Sequence, residues 1–173
     1  VFFTIIIAYS FIIGKQNTIK LVIASYLSLF AADAIGNMAN IFVFQSEPLI
    51  TIFYGINVSQ TLIIMKITLF VVFMVSFAVS GAFDITMKEE RPTLEFFMTF
   101  YFGTLSAGII VSTILVFSSG ASFLSTGGAT ITVIEDMYAS SYFVRFIALN
   151  SNLWFSLPVI SFLTLSFIKH MDS

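Results

Sequence analysis

The sequence predicts an all-α, polytopic membrane protein: a helix bundle of four or five transmembrane helices with an amphipathic helix on its outer side. Two observations predict it. First, the 173 residues are 58% hydrophobic, 17% aromatic and 9% charged, where soluble domains carry about 25% charged residues, and the mean hydropathy is +1.04. Second, the polar residues gather in short breaks between five apolar segments, residues 1–13, 19–44, 61–83, 94–118 and 149–168. That is the pattern of a chain whose solvent is lipid. Residues 1–173 read as a single membrane domain.

The first segment, Val1 to Ile13, has no basic stretch and no small-residue cleavage site, and it runs into Gly14 and Lys15. It reads as the end of a transmembrane helix that begins before Val1, not as a cleavable signal. A helix needs about 20 residues to cross a ~30 Å core. The segment 19–44 has enough to tilt or protrude. In Arg91-Pro92-Thr93-Leu94-Glu95, Thr93 is placed to cap the fourth segment and Glu95 to complement the positive end of its dipole. The uncharged, Ser- and Gly-rich stretch Ser118 to Gly128 reads as a flexible outer loop.

Residues 131–148 differ in kind. Val133, Ile134, Met137, Tyr138, Ser141 and Tyr142 fall at helical spacing, with Glu135 and Asp136 on another face. This suggests a helix lying on the membrane surface, or a loop helix packed on the bundle. Tyr138, Tyr142 and Trp154 suit the headgroup level as interfacial anchors. The last segment, 149–168, is only just long enough to cross and contains Pro158. Across alternating sides, Lys15, Lys20, Lys88, Arg91 and Lys169 share one side, and Arg145 falls on the other. Cytoplasmic loops collect Lys and Arg, so the N-terminus is expected outside and the C-terminus in the cytoplasm.

Several function classes drop out. A net charge of -2 without a basic cluster leaves no footprint for nucleic acid. The absence of cysteine removes disulfides, thiolate metal sites and iron–sulfur ligation. His170 is the only histidine and lies in the C-terminal tail. The acid pairs Glu89-Glu90 and Glu135-Asp136 are adjacent, and adjacent helical residues diverge by about 100°, which is poor geometry for a carboxylate dyad. No Walker, dinucleotide or HExxH motif occurs. No catalytic residue, metal or cofactor is expected, and the protein is read as non-enzymatic.

The informative residues are intramembrane. Asp33 lies in the second apolar segment, with Asn37 at i+4 and Asn40 at i+7 on its face. Lys66 is the comparable charge in the third segment. At 1.5 Å per residue, Asp33 lies about 20 Å from the inner boundary and Lys66 about 22 Å from it, so the two can pair and offset each other's desolvation. The competing readings are a Lys66 that snorkels to the headgroups and a protonated Asp33 on a proton or cation path. Beside this polar stripe runs a small-residue stripe, Ala24, Ser28, Ala32 and Gly36, with a shorter counterpart in Thr104, Gly108 and Ser112. Such spacing lets helix backbones approach closely in lipid. The two helices that carry these stripes are expected to pack tightly, with each other or with a second copy.

The helix broken by Gly14-Lys15-Gln16-Asn17-Thr18-Ile19-Lys20, the small-residue second helix and the stretch Phe100-Tyr101-Phe102-Gly103-Thr104-Leu105-Ser106-Ala107-Gly108 together resemble the colicin V production protein (CvpA) family, over roughly residues 1 to 147. The sequence departs from that family in lacking its arginine–glycine pair in the first turn, in having no basic residue before Gly103, and in the added segment 152–168. The resemblance implies a non-enzymatic bacterial inner-membrane protein associated with export or envelope homeostasis. The expected role is therefore an accessory or scaffold subunit of a membrane assembly, with the lipid bilayer and either further copies or other membrane subunits as partners. The alternatives are a small channel or transporter whose path includes Asp33, Asn37 and Asn40, and a structural subunit of a large energy-transducing complex.

Overall fold

The computed structural model describes residues 1–44, 58–80, 92–124 and 142–171, and all structural statements refer to these. They form helices α1 (Phe2–Ala39), α2 (Val58–Val79), α3 (Pro92–Ser118), α4 (Tyr142–Leu149) and α5 (Ser151–Met171), with α1 widening into a π-helical turn at Asn40–Phe44. Helices α1, α2 and α3 are long and apolar enough to cross a membrane, which marks the chain as an integral membrane protein.

The long α1 is two arms joined at one residue. Gly14 has φ 78° and ψ 169°, a region almost reserved for glycine. Thr18 Oγ1 donates to the carbonyls of both Gly14 and Ser10, at 2.9 and 3.1 Å, whereas eight residues of straight helix would separate Thr18 from Ser10 by ~12 Å. The chain therefore reverses. The connection expected over Gly14 to Lys20 contracts to this single residue, and helix resumes at Lys15.

Side-chain contacts set the direction of each arm. Phe11 meets Phe96, and the backbone of Gly103 faces Ser10, so the first arm runs antiparallel to α3. Ile19 and Val22 share a core cluster with Phe102, Leu105 and Ile109, and Asp33 reaches Leu124 just beyond the end of α3. The second arm accordingly runs parallel to α3. Helix α3 is the centre of the bundle, with Phe102, Leu105, Ala107, Ile109 and Ile110 all buried. Helix α2 is peripheral: among its residues only Lys66 and Phe70 are fully buried.

In lipid, a free hydroxyl is costly and helices offer it a backbone carbonyl one turn back. Ser10, Ser25, Ser28, Thr99, Thr104, Thr113, Ser161 and Thr164 all donate to the carbonyl four residues earlier. Pro158 cannot donate within α5. Three residues before it, the carbonyl of Phe155 accepts the hydroxyl of Tyr26, which ties α5 to the second arm of α1. Tyr101 and Ser161, 2.6 Å apart, tie it to α3.

Three expectations change. Helix α3 begins at Pro92, one residue ahead of Thr93; proline's fixed φ suits a first helical position, so Thr93 is helical and does not cap. Glu95 does lie in the first turn. The start of the loop after α3 is ordered, because Gly120 at φ 74° donates to Phe117 and Ala121 to Val116. That pair of bonds is a Schellman cap. Trp154 is no headgroup anchor: its ring lies on Gly108, midway along α3, and meets Phe3 edge-on at 6.1 Å. Of the other two anchors, Tyr142 is exposed at the start of α4, and Tyr138 falls outside the described residues, as does most of 131–148. The fifth apolar segment is helical as Ser151–Met171.

Candidate functional site

Where the C-terminal part of α1 meets α2, a buried acid and a buried base meet. Lys66 Nζ lies 2.6 Å from Asp33 Oδ1, and Asp33 has no exposed surface. The ammonium also donates to Asn37 Oδ1 at 2.8 Å. Asn37 Nδ2 donates to Ser122 Oγ at 2.9 Å, and Ser122 Oγ donates to Asp33 Oδ2 at 2.8 Å. Lys66, Asp33, Ser122 and Asn37 thus close a ring of hydrogen bonds. The backbone N–H of Leu124 adds a third donor to the carboxylate, at 2.9 Å on Oδ2. The ring of Phe117 stands 5.8 Å from the ammonium, within the range of a cation–π contact.

Each member is placed by local structure. Asp33 and Asn37 are one helical turn apart on α1. Gly36 lies between them, and a Cβ there would stand 2.5 Å from Lys66 Cγ; its missing side chain is what admits the lysine stem. Ser122 and Leu124 arrive through the Schellman turn that brings the chain back over the end of α3. A buried charge pair is tolerated when its geometry is good and further hydrogen bonds meet the remaining polar atoms. Here the added partners are an amide, a hydroxyl and a backbone N–H. The snorkelling posture considered for Lys66 is not the one it takes.

The other expected site residues are distributed differently. Asn40 starts the π-helical turn, and no hydrogen bond among the described residues joins its side chain to the ring. Ala24, Ser28 and Ala32 are fully buried, but Gly36 faces α2 and Gly108 faces Trp154 of α5, with a Cβ position 2.1 Å from that ring. Gly36 and Gly108 therefore receive large side chains, while the two helices that carry the stripes, α1 and α3, do pack against each other, more extensively than any other pair of described helices. The closest glycine approach between α1 and α3 is at Gly103, whose Cβ position is 2.9 Å from Ser10 Cβ. Thr104 is only half-buried, and the Ser112 hydroxyl is buried with no hydrogen-bond partner.

Sequence reasoning missed Ser122, Leu124 and Phe117 in the ring. Only Gly120 carries a local signal, as a helix-ending glycine. Among the described residues no group of three His, Asp or Glu is arranged to hold a metal ion.

Comparison with known proteins adds no relative. No family model matches the chain. No curated protein matches it. No solved structure matches it.

Proposed function

We propose that this chain is a non-enzymatic accessory or scaffold subunit of a membrane assembly, oriented with its N-terminus outside and its C-terminus in the cytoplasm. The export or envelope-homeostasis role implied by the resemblance to the CvpA family fits this reading. The observation that carries it is the closure of the Asp33–Lys66 ring. A carboxylate on an ion path has to meet water or the ion, since charge inside the bilayer is otherwise expensive. Asp33 has no exposed surface and holds three donors, which suits a clamp joining α1, α2 and the turn after α3. The apolar outer face of α2, with Ile64, Val72, Val75 and Val79 exposed, is available to lipid and neighbouring subunits.

The test combines purification in mild detergent with ion flux in proteoliposomes, for the native chain and Asp33→Asn. Expected are a stable association with other membrane subunits or further copies, weakened in Asp33→Asn, and no flux above that of empty vesicles for either protein. A flux that the native chain supports and Asp33→Asn abolishes would replace the scaffold by a transporter.

A further inference from the structure

A groove of about 330 Å³ runs along the outside of the bundle between the second arm of α1 and α5, lined by Ile23, Tyr26, Leu27, Val159, Phe162 and Leu163. Its wall is almost wholly apolar. The one hydroxyl, on Tyr26, is committed to the Phe155 carbonyl. Leu27, Val159 and Leu163 are exposed along the opening. The volume sits at the low end of ligand pockets, ~300–1,000 Å³, large enough for part of one chain but not for a whole two-chain lipid.

Charge marks one end of this groove. Lys20 precedes Ile23 by three residues and Leu27 by seven, so it shares their helix face. It makes no hydrogen bond or ion pair with the described residues. Helix α5 runs toward the same end, since Trp154 meets Gly108 while Phe162 stacks on Phe102, six residues nearer the start of α3. Lys169 follows Phe162 by seven residues in that helix. Lys20 thus lies in line with the groove at the end toward which α5 runs.

We propose that this groove holds an acyl chain of an anionic phospholipid whose phosphate is bound by the Lys20 ammonium. Apolar walls take any chain and discriminate nothing about the headgroup. The discrimination comes from Lys20, whose long stem can lie along the apolar wall while its head reaches the phosphate. Basic pockets between membrane helices select anionic headgroups on this principle.

The full chain, purified in mild detergent, is titrated with a fluorescent phosphatidylglycerol and with phosphatidylcholine bearing the same chains. Native protein should retain phosphatidylglycerol more strongly. Lys20→Gln should lower that preference about fivefold, the effect of one lysine near an anionic surface, and Lys20→Arg should keep it. Leu27→Trp, which fills the groove, should reduce retention of both lipids, and Arg145→Gln should change neither. Helical circular dichroism checks that each variant is folded. Equal retention of the two lipids by native protein, or retention untouched by Leu27→Trp, overturns the proposal. So does a protein partner in the groove: the chain lacks cysteine, and a disulfide dimer formed by Leu163→Cys in native membranes would show a second copy there.

Discussion

Removing either end of the Asp33–Lys66 pair leaves the other charge buried among neutral partners, a loss of about 3–5 kcal/mol for buried pairs. Asp33→Asn and Lys66→Met should each lower stability by that order in reversible unfolding from mixed micelles, and the double variant by clearly less than the sum. Additive losses would mean that the two side chains do not depend on each other. Gly36→Ala tests the same point from the backbone. Its Cβ would press on Lys66 Cγ and Cε, at 2.5 and 2.7 Å, and the stem cannot swing aside while its Nζ is held at two oxygens. A loss of about 1–3 kcal/mol is expected, as for overpacked cores, shrinking markedly when Lys66 is already Ala. At this scale the sequence was informative about Asp33, Asn37 and Lys66, because depth follows from helical rise and facing follows from i+4 spacing. On Asn40 the described residues give no side-chain bond to the ring, and the π-helical turn begins at that residue. The sequence was silent on Ser122 and Leu124, which lie 89 and 91 residues from Asp33 and reach it only through the tertiary fold.

Two glycines decide how the elements sit, for different reasons. Gly14 has nothing within 4 Å of where a Cβ would stand, and its φ of 78° is its whole requirement. Gly14→Ala should therefore cost about 1–3 kcal/mol of backbone strain, read as a lowered unfolding midpoint in detergent, and no compensating change in a neighbouring side chain should restore it. Gly108 is the reverse case. Its backbone is ordinary helix, but a Cβ would lie 2.1 Å from Trp154 Cε3 and 2.7 Å from Cδ2, atoms of a rigid ring. Gly108→Ala should displace α5 and lower stability by about 1–3 kcal/mol, and Trp154→Leu in the same chain should recover much of the loss. The break at Gly14 and the stop before Gly120 were legible because glycine at a helix boundary has a local meaning. Trp154 was not. Its amphipathic ring suits a headgroup layer as well as it suits a bundle, and what draws it inward is the absence of a side chain on another helix.

The helix ends collect at two poles. One holds the Gly14 reversal, Lys15, Lys20 and the start of α3, joined where the rings of Phe11 and Phe96 meet at 5.0 Å. The other holds Asp33, Lys66 and the turn Ser119–Leu124. Between them the second arm of α1 and α3 run side by side for most of their length, so a bilayer crossed by one is crossed by the other in the same sense. Counting basic residues separates the same two poles once Lys66, which is paired with Asp33, is set aside, since Lys15 and Lys20 fall at the first and neither Lys nor Arg lies in 119–124. The charge along the chain and the packing of its helices are independent properties that divide it at the same places. Together they predict a labelling pattern. The chain has no cysteine, and both Gln16 and Leu124 have exposed side chains. With a membrane-impermeant maleimide, Gln16→Cys should react only from the cytoplasmic side and Leu124→Cys only from the outside. Leu124→Cys keeps the backbone N–H that serves Asp33, so the reporter leaves the ring intact. The reversed pattern would invert the orientation without disturbing the fold. Reaction of both cysteines from one side would mean that the arm between Lys15 and Asp33 does not cross, and the burial of its charge pair would then have to come from protein contacts alone.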